Sequence, residues 1–240
     1  MSSSNVAASP TQSVDRPSIL LPALAVVAVL GFFGCHGTGG EWLDFRVQAC
    51  FWDGREWLIP KDAGWWHRLA YDGPKVLLYF LAVGLLWAAC MPGRAPVWMG
   101  RRRALFLLVT MTVTVVLCTQ LRSVTSMATP RQLTMYGAVP GWPHLLLFDA
   151  KPAGYPSAAF PAGHASGGFA LLAFAYAWSS AAARRRAVFV ALLYGGAMGL
   201  YQIARGEHFL SHTLATAALA WLLAAVGARL FRPTLVSSPS

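Results

Sequence analysis

The sequence predicts an all-α integral membrane protein, a six-helix bundle with an amphipathic outer segment between its first and second helices. Three observations lead there. Of 240 residues, 56% are hydrophobic and 12% charged, which is too apolar for an ordinary soluble domain. The apolar residues gather in six runs that approach the roughly 20 needed to span a bilayer. The formal charge of +10 sits in short clusters between those runs, where basic residues set topology or meet lipid headgroups. No nucleic-acid-binding motif accompanies it, so nucleic acid is not an expected partner.

Residues 1–17 are rich in Ser, Ala and Pro and are expected to form a disordered cytoplasmic tail. Run one covers 18–34. Ahead of it Arg16 is balanced by Asp15, and the run is long enough to span, so it reads as a retained helix rather than a signal peptide. Residues 35–74 hold six of the nine acidic residues and five of the ten tryptophans. Trp42, Trp52, Trp57, Trp65 and Trp66 are expected at headgroup level, as an anchoring belt or as a rim that lipids pass. Run two, 75–91, is broken by Pro92, Gly93 and Pro96, and Arg94 and Arg101-Arg102-Arg103 follow. Run three is 104–121. A polar loop, 122–163, leads to run four, 164–181, and Arg184-Arg185-Arg186 forms the next turn. Runs five and six are 187–203 and 211–230. A cytoplasmic tail, 232–240, closes the chain, leaving one transmembrane domain over 18–231.

Six runs place both termini on one side, which the arginine triplets with Arg229 and Arg232 mark as cytoplasmic. All six histidines and eight of the nine acidic residues then lie in or beside segments of the opposite face, as a reaction centre would have them. Four cysteines without a CxxC pair make no zinc or redox motif. Cys90 and Cys118 are expected as packed thiols, and Cys35 and Cys50 flank a polar segment where an oxidising side would permit a disulfide. His36, His67 and His144 read as solvated loop histidines, and Asp149 and Lys151 as a loop pair.

Three outer segments are expected to converge: 122–131, 161–164 and 205–212. Pro161 suits the first turn of a helix, which puts His164 at a helix start where backbone N–H groups favour an anion. Gly163 and Gly167, four apart, allow a close helix neighbour. Arg122, Arg131 and Arg205 offer guanidinium forks that hold phosphate oxygens. Among His164, His208 and His212, a neutral imidazole can attack phosphorus and a protonated one can protonate the leaving oxygen. With no carboxylate cluster for Mg²⁺, the reading is metal-free phosphoryl transfer without a cofactor.

These residues resemble the motifs of the type-2 phosphatidic acid phosphatase superfamily, over about 122–212. The family's first motif is Lys, six residues, then Arg-Pro; here Arg122 is followed by Thr129-Pro130, with Arg131 next. Pro161-Ala162-Gly163-His164 matches its Pro-Ser-Gly-His with one change. Its third motif is Ser-Arg, five residues, His, three residues, Asp; His208 falls in the expected Gly-x-His-Phe-Leu-Ser context. The resemblance implies His208 as the nucleophile that forms phosphohistidine and His164 as the general acid. It implies Arg122, Arg131 and Arg205, with Gly163, around the phosphate, and the residue four beyond the nucleophile as its orienter. That residue is His212 instead of Asp, and Gln202 stands where the third-motif Arg belongs, with Arg205 one helical turn on. A second assignment stays open, with His212 as nucleophile oriented by Glu207 or His208.

The implied activity is hydrolysis of lipid phosphomonoesters or diphosphates at the outer leaflet of a bacterial inner membrane. Prenyl diphosphates, phosphatidate, phosphatidylglycerol phosphate and lipid A phosphates all fit. Rival readings are a phosphotransferase on the same residues, a non-catalytic lipid-binding protein, and a metal-dependent hydrolase. The last would bind its ion through His208, His212 and His164 with Glu207 as base, against the repulsion of the flanking arginines.

Overall fold

The structure is a computed structural model that describes residues 17–61, 64–125, 127–156 and 159–233. The expected tails fall outside these residues, apart from Pro17 and positions 232 and 233. Among the described residues the regular elements are all helical, and pairing of extended chain is limited to the isolated bridges Trp52–Trp57 and Leu133–Trp142.

The elements run α1 (Leu20–Gly34), α2 (Gly40–Gln48), α3 (Gly64–His67), α4 (Gly73–Cys90), α5 (Arg101–Thr125), α6 (Gly163–Phe169), α7 (Ala173–Ala177), α8 (Ala181–Ala204) and α9 (Leu210–Phe231). A π-turn, Arg68–Asp72, joins α3 to α4, and a 3₁₀ turn, Ala170–Leu172, joins α6 to α7. Four stretches are long and apolar enough to cross a membrane: α4 with the turn before it, α5, α8 and α9. Their composition fits an integral membrane protein. This differs from the six full spans expected. α1 has 15 residues, about 22 Å at 1.5 Å per residue, and run four is divided by its 3₁₀ turn and ends at Ala177. Ser180 explains that end: its hydroxyl accepts from the Ala183 N–H at 3.5 Å and starts α8. Arg184, Arg185 and Arg186 therefore lie inside α8 rather than in a turn, as Arg101–Arg103 lie inside α5.

Small residues set the packing. α6 meets α8 where Gly168 lies on the backbone of Gly195, and any Cβ at either position would collide with the partner helix. The close approach expected of Gly163 and Gly167 is present, against Arg122 of α5 and Leu78 of α4, and Gly168 adds the tighter contact with α8. Alanines of α5, α6, α7 and α9 fill the core with Phe106, Leu107 and Phe169. Large apolar side chains of α1, α4 and α8 point outward instead, among them Leu21, Val27, Leu77, Phe80, Phe189 and Leu193. Water would solvate such a surface poorly, and lipid tails cover it at no cost.

Residues 35–61 do not form a single amphipathic helix. The buried stripe of α2 is Gly40, Asp44 and Gln48, and the tryptophans divide between roles. Trp42 and Trp65 are exposed, whereas Trp57 is buried against Tyr136, Leu133 and Phe209, with Trp52 beside it. Cys118 is buried as expected, but Cys90 is exposed, and Cys35 and Cys50 are separate exposed thiols.

Candidate active site

α5 and α8 run toward one end of the bundle and α9 runs away from it, so the end of α5, the start of α6 and the α8–α9 loop meet there. Between them lies a polar pocket of about 260 Å³. At about 30 Å³ per water, it has room for a phosphate or diphosphate headgroup but not for a lipid tail. His164, His208, Arg122 and Arg205 line it, with Thr129, Gln202, Glu207 and Tyr71.

The turn before α6 is fixed from two sides. The Ala162 N–H donates to the His212 carbonyl at 3.1 Å, and the Thr216 hydroxyl lies 3.2 Å from the Ala162 carbonyl and 2.9 Å from that of His212. On the α5 side, Thr125 donates to the Phe160 carbonyl. Pro161 stands outside the helix, whose N-cap is Ala162. Gly163 is required for proximity: a Cβ there would lie 2.8 Å from Nη1 of Arg122. Tyr71, on the π-turn, stacks on His164 with ring centroids 3.9 Å apart, and Lys75 Nζ sits 3.6 Å from the Tyr71 centroid. Nε2 of His164 is buried and has no hydrogen-bond partner among the described residues.

His208 and His212 meet through their Nδ1 atoms, 3.4 Å apart, with the Ala159 carbonyl beside both. With Nδ1 engaged, Nε2 is the nitrogen His208 has left for the pocket. Burial, with Arg122 and His164 nearby, pushes His208 down to about 3, so it is a neutral imidazole at ordinary pH. His212 has no exposed surface and does not line the pocket.

The three arginines separate into two roles. Arg122 and Arg205 face the pocket. Arg131 lies behind the loop instead: Nε donates to the Arg205 carbonyl, Nη2 donates to the Ile59 carbonyl at 3.1 Å, and the Glu207 carboxylate is 3.5 Å away. Its own N–H donates to the Gly206 carbonyl at 3.0 Å. The Thr129–Gln132 capping box starts the 3₁₀ turn that carries it, which orients its fork toward loop carbonyls. Arg205 is itself held by the Lys61 carbonyl (3.2 Å) and the Gln202 side chain (3.4 Å).

Two residues of α2 complete the frame, and neither was singled out by motif. Asp44 accepts from the Ser211 N–H at 2.8 Å and caps α9. Gln48 Nε2 donates to the Ile203 carbonyl at 2.9 Å, at the end of α8. Burial pushes Asp44 up to about 6 despite its hydrogen bonds to Ser211. The legible signal was a polar pair four apart within a helix, and Tyr71 carried no signal at all. Of the remaining histidines, His36 is exposed in a loop as expected, and His144 departs from that expectation. His144 is not solvated but packed between Phe45 and Phe209 and paired with Glu41 at 2.9 Å. Asp149 pairs with His36 at 2.7 Å rather than with Lys151, whose ammonium donates to the Leu147 carbonyl. The side chain of His67 lies outside the described residues. Among those residues, no group of three or more His, Cys, Asp or Glu is placed to hold a metal ion.

The sequence profile of the PAP2 superfamily matches residues 103–234, the span that runs from the third residue of α5 through α9 and contains every histidine and arginine of the pocket. The chain belongs to the PAP2 superfamily. No curated protein and no solved structure matches the chain in the corresponding searches. Membership in the PAP2 superfamily supports phosphatase-type hydrolysis of phosphoesters as the general activity.

Proposed function

We propose that this superfamily member hydrolyses phosphomonoester or diphosphate groups of membrane lipids at the outer leaflet, through a phosphohistidine. The observation that carries the reading is the polar pocket with two histidines and two arginines on its wall, opening at the end of a bundle whose flanks are apolar. A lipid phosphate enters headgroup first while its tail stays in the bilayer. Arg122 and Arg205 hold the non-bridging oxygens and neutralise charge as it builds on them. Nε2 of His208 attacks phosphorus as the bond to the leaving oxygen breaks. The Nδ1 contact with His212 and the Ala159 carbonyl fixes the His208 tautomer. The bound phosphate places negative charge beside His164 and favours its protonated form, which then donates to the leaving alkoxide or phosphate. A water next attacks phosphorus, His164 takes its proton, the N–P bond breaks, and inorganic phosphate leaves. That His208 lines the pocket and His212 does not favours His208 as the nucleophile. Arg131 keeps the loop in place and is not a phosphate ligand. The guanidinium groups also disfavour a cation in this pocket, which supports a metal-independent reaction.

The test is phosphate release by purified protein in detergent with EDTA, on a panel of lipid monophosphates and diphosphates. Release in EDTA, lost in His208→Ala together with the trapped phosphohistidine, supports the reading. Release abolished by EDTA and restored by zinc sinks the mechanism, and transfer of phosphate to a second lipid in place of water moves the protein to the transferases.

A further inference from the structure

The far end of the bundle carries a second, larger concavity. α7, α8 and α9 form its walls with α1, and its volume is about 1050 Å³. Its flanks are apolar, including Leu21, Ala25, Val188 and Leu192, and Trp221 and Tyr176 stand on one wall, joined by an indole N–H bond to the phenol oxygen at 2.9 Å. Arg184, Arg229 and Arg232 gather at its rim. From Trp221 to Arg232 is eleven residues along α9, about 16 Å of groove, polar at one end only.

The charge of the whole chain makes this rim unusual. Nine arginines lie at this end: Arg94, the two triplets and the two of α9 and its cap. No acidic side chain accompanies them among the described residues. At the other end, among the described residues, nine basic residues face seven acidic ones. The excess positive charge is therefore concentrated at this end of the bundle, and three of its arginines line the groove. Arg102 donates to the Phe231 carbonyl and fixes the end of α9, and Arg232 turns the chain with a left-handed backbone (φ 48°). The rim is thus held in place rather than trailing.

We propose that this groove is a binding site for one anionic glycerophospholipid, distinct from the catalytic pocket. The phosphodiester sits among Arg184, Arg229 and Arg232, whose forks match its oxygens, and an acyl chain lies along the apolar flank toward Trp221. The site rests on nothing in the catalytic reading, because a diester held there is at the other end of the bundle from His208.

The test uses full-length protein in uncharged detergent, with phosphatidylglycerol and phosphatidylcholine as probes, read by native mass spectrometry and thermal shift. The expected result is one retained phosphatidylglycerol and a raised Tm. A triple Arg→Gln variant at 184, 229 and 232 weakens retention at least about tenfold, equivalent to 1.4 kcal/mol. The charge-matched triple at Arg101, Arg185 and Arg186 retains it, since those arginines do not line the groove. Ala25→Trp, which fills the flank and leaves every arginine, also loses it and serves if the first triple does not fold. Equal retention of phosphatidylcholine overturns the proposal, as does equal loss in both triples. So does the absence of any retained lipid, which means that something else fills the groove.

Discussion

At the scale of single residues, the two pocket histidines have separable chemistry. In the first step His164 acts only if the leaving oxygen needs a proton; in the second it takes the proton of the attacking water whatever the substrate was. His164→Ala is therefore expected to lose about 10²–10⁴ in the rate of phosphohistidine formation on an alkyl phosphate and far less on p-nitrophenyl phosphate, whose leaving group departs as a stable anion. His208→Ala removes the proposed nucleophile and is expected to fail on both. Equal losses on both substrates for His164→Ala would deny it the general-acid role. Gly163 tests the phosphate side. In Gly163→Ala the new methyl meets the flexible end of Arg122 at 2.8 Å, so the fold tolerates it and the guanidinium moves. Expected are a near-native Tm and a raised KM; an unchanged KM would mean that Arg122 does not hold substrate where the pocket puts it. These roles were legible because each follows from short spacings around one turn or one loop. The place of Arg131 was not. Its fork is committed to carbonyls of Ile59 and Arg205, partners more than seventy residues away, and no spacing rule reports such a contact.

At the scale of elements, α2 decides where the catalytic loop sits. Asp44 holds the start of α9 and Gln48 the end of α8, one helical turn apart on the same stripe. Gly206, with φ 71°, lets the loop lie flat on the Trp57 ring, where a side chain would not fit. Asp44→Ala leaves the Ser211 N–H buried without an acceptor and is expected to cost about 1 kcal/mol, with a lowered kcat. The carboxyl also has a pH signature. Its folded value, about 6, lies above the 3.8 of a free carboxyl, so the folded state binds the extra proton. The stabilisation from this group is complete below 3.8 and is lost as pH rises through about 6, by about 3 kcal/mol at most. Thermal unfolding between pH 4 and 7 should therefore show a rise in Tm toward acid that flattens in Asp44→Asn. An unchanged slope in that variant would assign the effect elsewhere. The sequence predicted this segment as an interfacial anchoring belt or a rim because tryptophans favour headgroup level. Trp57 is instead a floor for the loop, since its neighbours Tyr136 and Phe209 come from distant parts of the chain.

At the scale of the whole molecule, the alternation of apolar runs and arginine clusters was legible because hydrophobic length and charge position are local properties. What length could not show is how much of each run becomes helix: Ser180 starts α8 early, and the 3₁₀ turn divides run four. The two ends of the bundle nevertheless remain chemically different, and the native cysteines report on them. Cys35 and Cys50 are exposed at the catalytic end, Cys90 is exposed at the arginine-rich end of α4, and Cys118 is buried within α5. Basic clusters favour the cytoplasmic side, so the catalytic end should face outward. Single-cysteine versions in intact cells, treated with a membrane-impermeant maleimide, are expected to label at Cys35 and at Cys50. The Cys90 version should label only after permeabilisation, and the Cys118 version only after denaturation. The reverse pattern, with Cys90 accessible from outside, would turn the pocket toward the cytoplasm. The substrates would then have to be inner-leaflet lipids or soluble phosphates, while the chemistry of His208 and His164 would stand unchanged. The labelling thus tests the leaflet separately from the reaction.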